Sequence, residues 1–449
     1  MTADAALESQ IGQWRGYVER HRVISSADVD EMEDHLRDRI SDLVDAGLAD
    51  DEAFLVAVKR MGSVDAISRE FAREHSERLW KQLVLVQADT GATTHPPRRE
   101  LFVVLALGLC AGVTLELARW AGLDDHVFAR NVSVFILPFL AGYFAWKRRV
   151  SARVAAALVV PFAAVALVLN LFPFDPEGST ELVAAIHAPV VLWFAVGLAY
   201  VGGDWRSDRR RMDFIRFTGE WVVYLTLLAL GGGVLMGLTI GAFNSLGTDM
   251  EWVIADWVLP FGAAGAVVVA AWLVEAKQAV VENIAPVLTR VFTPITIVML
   301  LVLLAAFAVD GNVGDVDRNL LILMDLILVV VLGLVLYATS ARDPLAPPDL
   351  FDRLQLVLVV SALAVDLMML AAMLTRIAEF GFTPNKVVAL GLNLVLLVNL
   401  VWSARLLLGF VRGRVGFEST ERWQTRYLPV FGGWAALVVV LVPPLFGFV

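Results

Sequence analysis

Eleven apolar runs constrain this 449-residue chain more than any other feature. Each is close to the roughly 20 residues a helix needs to cross a hydrocarbon core. They fall at 101–122, 131–147, 152–172, 182–202, 219–242, 252–274, 291–309, 319–340, 354–375, 386–408 and 429–448. In lipid every backbone N–H and C=O must be satisfied within its own segment, so such runs fold as helices. The expected fold class is therefore all-α, a polytopic helical membrane protein of about 11 transmembrane helices. Composition agrees: 58% of the residues are hydrophobic, where a soluble chain has about 45–50%, and the mean hydropathy is +0.70.

Charge divides the chain. Residues 1–90 hold 19 acids and 11 bases, while the other 359 hold 27 and 25. The expected organisation is a small cytosolic helical domain over 1–87, a linker over 88–100 and a membrane domain over 101–449. An acidic head argues against nucleic acid as a partner, since that needs a basic face. MTADAALESQ lacks the basic and apolar regions of a cleaved signal peptide.

The head reads as four amphipathic helices. Leu7, Ile11, Trp14 and Val18 recur at helical spacing, then Met32, Leu36, Ile40 and Leu43, then Phe54, Ala57, Val58 and Met61. Gly47 and Gly62 are placed to end the second and third helices. Ser63 is placed to cap a fourth that carries Ile67, Phe71 and Trp80. The segment DEMEDHLRDRISDLVDAGLADDEAFLVAVKRMGSVDAISREF, residues 30–71, resembles the permease-prefix or HAAS-type domain of bacterial membrane proteins. That resemblance implies a docking or signalling module with a cytosolic protein partner, fused to a permease-like body.

Orientation follows from basic residues in the connections. Alternate connections, beginning with WKRRVSAR, hold 18 Lys and Arg, and the opposite set holds four: Arg130, Arg318, Arg376 and Lys386. The expectation is a multi-pass protein of the bacterial inner membrane, N-terminus in the cytoplasm and C-terminus outside. Trp120, Trp146, Trp252 and Trp423 are placed as interfacial anchors. Gly233, Gly237 and Gly241 form a ladder of small residues that predicts close packing of another helix. The basic segment DWRSDRRRMDFIRF reads as a loop against anionic headgroups.

Ionisable groups inside spans are costly unless paired or wet, so they are the first functional suspects. Asp256, Asp325, Asn393 and Asp366 fall in the sixth, eighth, tenth and ninth runs. Each lies roughly 8–15 Å below the outer surface at a helical rise of about 1.5 Å per residue. If their helices adjoin, they line an outward-open acidic pocket for a proton, a cation or an amine. The competing reading is that each is satisfied by a neighbouring polar group. Glu116 and Arg119 are spaced to pair on one helix, His187 reads as a hydrogen-bonded core residue, and Asn393 and Asn399 read as interhelical donors. One cysteine, Cys110, excludes an intrachain disulfide and a cysteine-based metal cluster. No metal-ligand or cofactor motif is present, and Walker, HExxH and GxSxG patterns are absent.

Near the end of the ninth run the chain turns a charged corner, RIAEFGFTPNK. Arg376 and Glu379 are spaced to pair, Gly381 permits reversal, and Thr383 and Pro384 suit N-cap and N1 of the next helix. Arg376 and Lys386 are placed to reach headgroup phosphates. The stretch DLMMLAAMLTRIAEFGFTPNKVVALGLNLVLLVNL resembles a bacterial membrane family known as domain of unknown function 4153, through Arg376, Glu379, Gly381, Thr383, Pro384, Asn385 and Lys386. That resemblance implies a multispanning body and no established activity. The favoured expectation is a regulatory or sensory membrane protein with a docking head. A secondary transporter using the intramembrane acids is the alternative. A lipid-linked transferase using Asp124 and Asp125 is third.

Overall fold

The structure is a computed structural model that describes residues 7–8, 10–12, 14–15, 26–45, 48–61, 98–175, 178–245, 249–276, 284–310 and 318–449. The expected fourth head helix, with Ser63, Ile67, Phe71 and Trp80, lies outside them, as do Val18, Gly47 and Gly62. The chain divides into two compact units, Met1–Pro97 and Arg98–Val449.

In the first unit, α1 (Ser26–Asp45) and α2 (Asp50–Met61) pack together. Leu36, Ile40, Leu43, Phe54, Ala57 and Val58 bury with Ile11 and Trp14 from the preceding helical stretch. These are the apolar positions of the helical period, and burying them is the main stabilising term. Across the surface Arg37 binds Glu8 at 2.5 Å and Glu33 at 2.9 Å, and Arg15 binds Glu33 at 2.6 Å.

Among its described residues the second unit carries eleven helices long and apolar enough to cross a membrane, and it is that of a multi-pass membrane protein. They are α3 (Arg98–Trp120), α4 (Asp125–Lys147), α5 (Ala152–Leu171), α6 (Thr180–Tyr200), α7 (Asp208–Ser245), α8 (Glu251–Ala276), α9 (Ile284–Asp310), α10 (Arg318–Ala341), α11 (Leu350–Phe380), α12 (Pro384–Val411) and α13 (Glu418–Leu445). No strand occurs among the described residues. Two cores form. One joins α3 to α8 around aromatic rings, with Phe144, Tyr200, Phe214 and Phe217 in mutual contact. The other joins α9 to α12 around aliphatic side chains. α13 packs on α6 and α12, and α7 packs on α10, so both cores belong to one bundle.

Most basic residues gather at one end. There Lys147 binds Glu100, Arg148 binds Glu275, and Arg216 holds the Ser340 carbonyl. At the opposite end Arg130 binds Glu181, and the Thr180 N–H donates to the carbonyl of Val449.

Helix lengths depart from expectation where charge interrupted the hydropathy. α7 begins at Asp208 and runs 38 residues, about 57 Å at helical rise. The expected basic loop is therefore mostly helix. Met212, Phe214, Ile215 and Phe217 enter the core, while Arg209 and Asp213 stay exposed. α13 likewise starts at Glu418, burying Thr420, Gln424 and Thr425 in its first turns.

Among the described residues nothing packs against the glycine ladder. A methyl group at Gly233, Gly237 or Gly241 would meet no atom within 4 Å. The close approach on α7 lies elsewhere, at Gly219, where a Cβ would come within 2.4 Å of the Tyr337 ring. The C-terminal half of α7 keeps its apolar side chains exposed, and no helix among the described residues packs on the ladder. Trp120, Trp146 and Trp252 are exposed near helix ends. Trp423 instead packs on Trp402 and Tyr427.

Candidate functional site

Asp366 sits on the face of α11 that enters the second core, among Val365, Met369 and Leu370, and is fully buried. Neither carboxyl oxygen has a hydrogen-bond partner among the described residues. A buried ionised carboxylate without partners costs several kcal/mol, about the largest single penalty a membrane interior imposes. Electroneutrality therefore calls for a proton or a cation at this point.

The neighbouring groups are acidic and amide. Asn393, on α12, is also fully buried. Its amide donates to Asp325 Oδ1 at 3.0 Å and to the Ala389 carbonyl at 2.9 Å, while its own Oδ1 has no partner. Asp325, on α10, is half-buried and close enough to Asp366 to repel it. The helices α10, α11 and α12 pack mutually, so three of the four residues expected to meet lie on adjoining elements. The cluster presents three unpartnered buried acceptor oxygens: both of Asp366 and the amide oxygen of Asn393.

Depth separates the members. α11 continues through RIAEF to Phe380, so Asp366 lies fifteen residues before Gly381, roughly 22 Å along the helix. Asn393, nine residues past Pro384, lies roughly 14 Å in. Asp366 is thus deeper than the hydropathy boundary implied, and Asn393 grips Asp325 at a shallower level.

Asp256 belongs elsewhere. It lies in a π-helical turn, Ile254–Val258, at the start of α8. Arg119 of α3 binds it at 2.7 Å and also binds Glu116 at 3.2 Å. The expected four-residue pocket is therefore corrected to three residues, because α8 packs on α3, α7 and α4 rather than on the second core. Glu116 and Arg119 do pair on one helix face.

The corner that joins α11 to α12 is closed by local chemistry. Gly381 takes φ +73°, which an L side chain rarely adopts. Thr383 accepts from the Lys386 N–H at 3.5 Å, and Pro384 follows at N1. The Lys386 ammonium folds back to the carbonyls of Arg376 at 3.2 Å and Gly381 at 3.0 Å. Lys386 thereby neutralises the carbonyl end of α11 rather than extending to a headgroup. The ring of Phe380 lies 5.4 Å below it.

Several other polar groups that the sequence singled out have partners, while single atoms of Ser133, Thr180, Tyr337, Thr420 and the indoles of Trp272, Trp423 and Trp434 are buried without one among the described residues. His187 Nδ1 meets the Val183 carbonyl at 2.9 Å. Asn399 donates to Gln424 at 3.0 Å, and Gln424 donates to Ser403 at 2.8 Å, joining α12 to α13. Asn131 and Asn170 exchange reciprocal amide bonds at 2.9 Å between α4 and α5. Asp124 and Asp125 flank the start of α4 after a short connection from Trp120.

Sequence reasoning missed the densest polar centre. Arg342, between α10 and α11, makes a two-pronged contact with Asp352 at 2.7 and 2.9 Å. It also donates to the carbonyls of Asp343, Ala346 and Pro347. Its guanidinium lies against both rings of the edge-to-face pair Phe410 and Phe417, at 4.5 and 4.4 Å. Asp352 completes a capping box with Asp349. The signal was legible in part: Asp349 three residues before Asp352, ahead of an apolar run, is a helix start.

No group of three or more metal-ligating side chains occurs among the described residues. The fold and this cluster define an α-helical multi-pass membrane protein with a buried acidic site. No family model, curated protein or solved structure matches the chain.

Proposed function

We propose that the chain is an ion-coupled membrane transporter of the bacterial inner membrane, in which Asp366 carries a proton or small monovalent cation. The single observation behind this is the full burial of Asp366 with neither oxygen hydrogen-bonded. Asp325 and Asn393, at the shallower level, hold the way toward it from the end with few basic residues. The excess of Lys and Arg at the other end favours that end as cytoplasmic, with residues 1–87 inside and Val449 outside. Two acids at successive depths suit stepwise transfer, since a charge on one disfavours a second charge on the other. A purely structural carboxylate would be expected to have acquired partners.

The test is ion entry into proteoliposomes holding the full chain. A potassium diffusion potential drives uptake, read by an internal pH dye for protons and by tracer for sodium. Uptake above empty liposomes that falls at least tenfold in Asp366→Asn supports the reading. Uptake unchanged by that substitution refutes it. No uptake, together with loss of a cytosolic protein partner on deleting residues 1–85, favours the regulatory role that a helical docking head implies.

A further inference from the structure

A second site stands apart from the acidic cluster. A cavity of ≈ 560 Å³ lies at the basic end, between the ends of α4, α6 and α8 and the start of α7. That volume falls in the range of small-ligand sites. Its polar lining is Arg148, Arg210, Arg216, Asp213, Glu220 and Tyr200.

The arginines are fixed largely by neutral oxygens. Arg148 donates to the Tyr200 carbonyl at 3.2 Å, and Arg210 to the Val201 carbonyl at 2.7 Å. Arg216 donates from two nitrogens to the Ser340 carbonyl. A carbonyl orients a guanidinium without cancelling its charge, while the carboxylates of Glu421 and Glu220 lie near Arg216 and offset it in part. Arg148 is also neutralised by Glu275 at 2.9 Å, and Arg210 faces Asp204 at 3.6 Å. Each fork still has N–H groups beyond these bonds.

Asp213 is the informative residue. Arg210 and Arg216 stand three residues to either side of it on α7, a spacing that normally pairs. Neither does so, because both guanidinia are held by the carbonyls of Val201 and Ser340. Asp213 is exposed into the cavity and makes no hydrogen bond or ion pair with the described residues. The cavity therefore offers guanidinium donors and a free carboxylate side by side. A simple anion would be repelled by Asp213, and a simple cation by the arginines. A zwitterion with a phosphate and a primary ammonium satisfies both.

We infer that this cavity binds the headgroup of an aminophospholipid, its phosphate on Arg210 and Arg216 and its ammonium on Asp213. The position, at the helix ends where headgroups lie, favours a lipid over a soluble solute. The inference is independent of the ion-coupled reading.

Native mass spectrometry of the full chain, in equimolar phosphatidylethanolamine, phosphatidylcholine and phosphatidylglycerol, tests it. Phosphatidylethanolamine should be retained over both others, since choline has no N–H and glycerol no cation. Asp213→Asn should lower its retention roughly tenfold, the loss of one charge-assisted bond, with phosphatidylglycerol unchanged. Arg210→Gln should lower both. Equal retention of all three lipids, or Asp213→Asn behaving as wild type, overturns the inference. Displacement of the lipid by an equal concentration of soluble phosphoethanolamine overturns the lipid as occupant. Asp213 makes no folding contact, so the test does not depend on a variant that fails to fold.

Discussion

Removing the side chain at Arg342 should cost this bundle more than any other single truncation at the basic end. Arg342→Ala leaves Asp352, 2% exposed, as a buried carboxylate without its two-pronged partner. Orphaning one member of a buried pair costs about 3–5 kcal/mol. The two ring contacts, with Phe410 and Phe417, add about 0.5–2 kcal/mol each when desolvated. These terms overlap because one side chain makes them all, so the expected loss is about 4–6 kcal/mol. Arg342→Lys keeps the charge and loses the planar fork, so it should recover only part of this.

A double substitution separates the mechanisms. If the cost is mainly the stranded carboxylate, Arg342→Ala with Asp352→Asn should be more stable than Arg342→Ala alone. Asparagine keeps an oxygen for the Asp349 N–H, which Asp352 Oδ2 now accepts at 2.8 Å. The assay is thermal unfolding of the purified chain in one detergent, read by loss of monodisperse protein. Wild-type behaviour of Arg342→Ala would refute the reasoning. A double variant less stable than the single would show that the rings and the cap, rather than the orphaned charge, set the cost.

The reciprocal Asn131–Asn170 pair gives a cleaner pattern: either residue alone changed to Leu should lose about 0.5–2 kcal/mol, while both changed together should approach wild type, measured in the same assay. In the first unit, hydrogen bonds from Arg15 and then Arg37 hold Glu33 below the ordinary glutamate range, and one from Arg37 does the same for exposed Glu8. A folded value below the unfolded one means the stabilisation is present above the unfolded value and is lost as pH falls through the folded one. Pepsin cleavage of the full chain within residues 26–61 should therefore rise as pH drops below the ordinary glutamate range, and Glu33→Gln should flatten that rise.

Hydropathy located every span because lipid solubility is a local property of about 20 residues. It placed helix ends poorly wherever charge and helix coexist. DRRRMDFIRF reads as a loop by hydropathy, yet Phe214 and Phe217 are core and only its charged face meets solvent. The corner at Gly381 was legible down to its cap, because a glycine at positive φ, an N-cap threonine and an N1 proline are local rules. Long-range pairing was not legible. Nothing near Asp256 announces Arg119, and nothing near Arg342 announces Phe410 and Phe417. The glycine ladder misled for the same reason, since small residues permit close packing without supplying a partner.

The two cores divide the work differently. The first is filled by rings whose contacts interlock Phe144, Tyr200, Phe214 and Phe217 with Trp193. Such packing has few alternative arrangements. The second is aliphatic and carries buried polar groups at several depths: Asn393, then Asp366 and Asn399, then Ser403, and Gln355 bonded to Thr293 at 3.0 Å. Polar groups in lipid are retained where something must be bound or moved. Aliphatic side chains change rotamer at lower cost than stacked rings, so any rearrangement around Asp366 is cheapest in α10, α11 and α12. The aromatic half offers the more rigid frame for any such rearrangement. α13, which touches both halves through Leu428 and the Asn399–Gln424 bond, is the element through which such a shift would be felt.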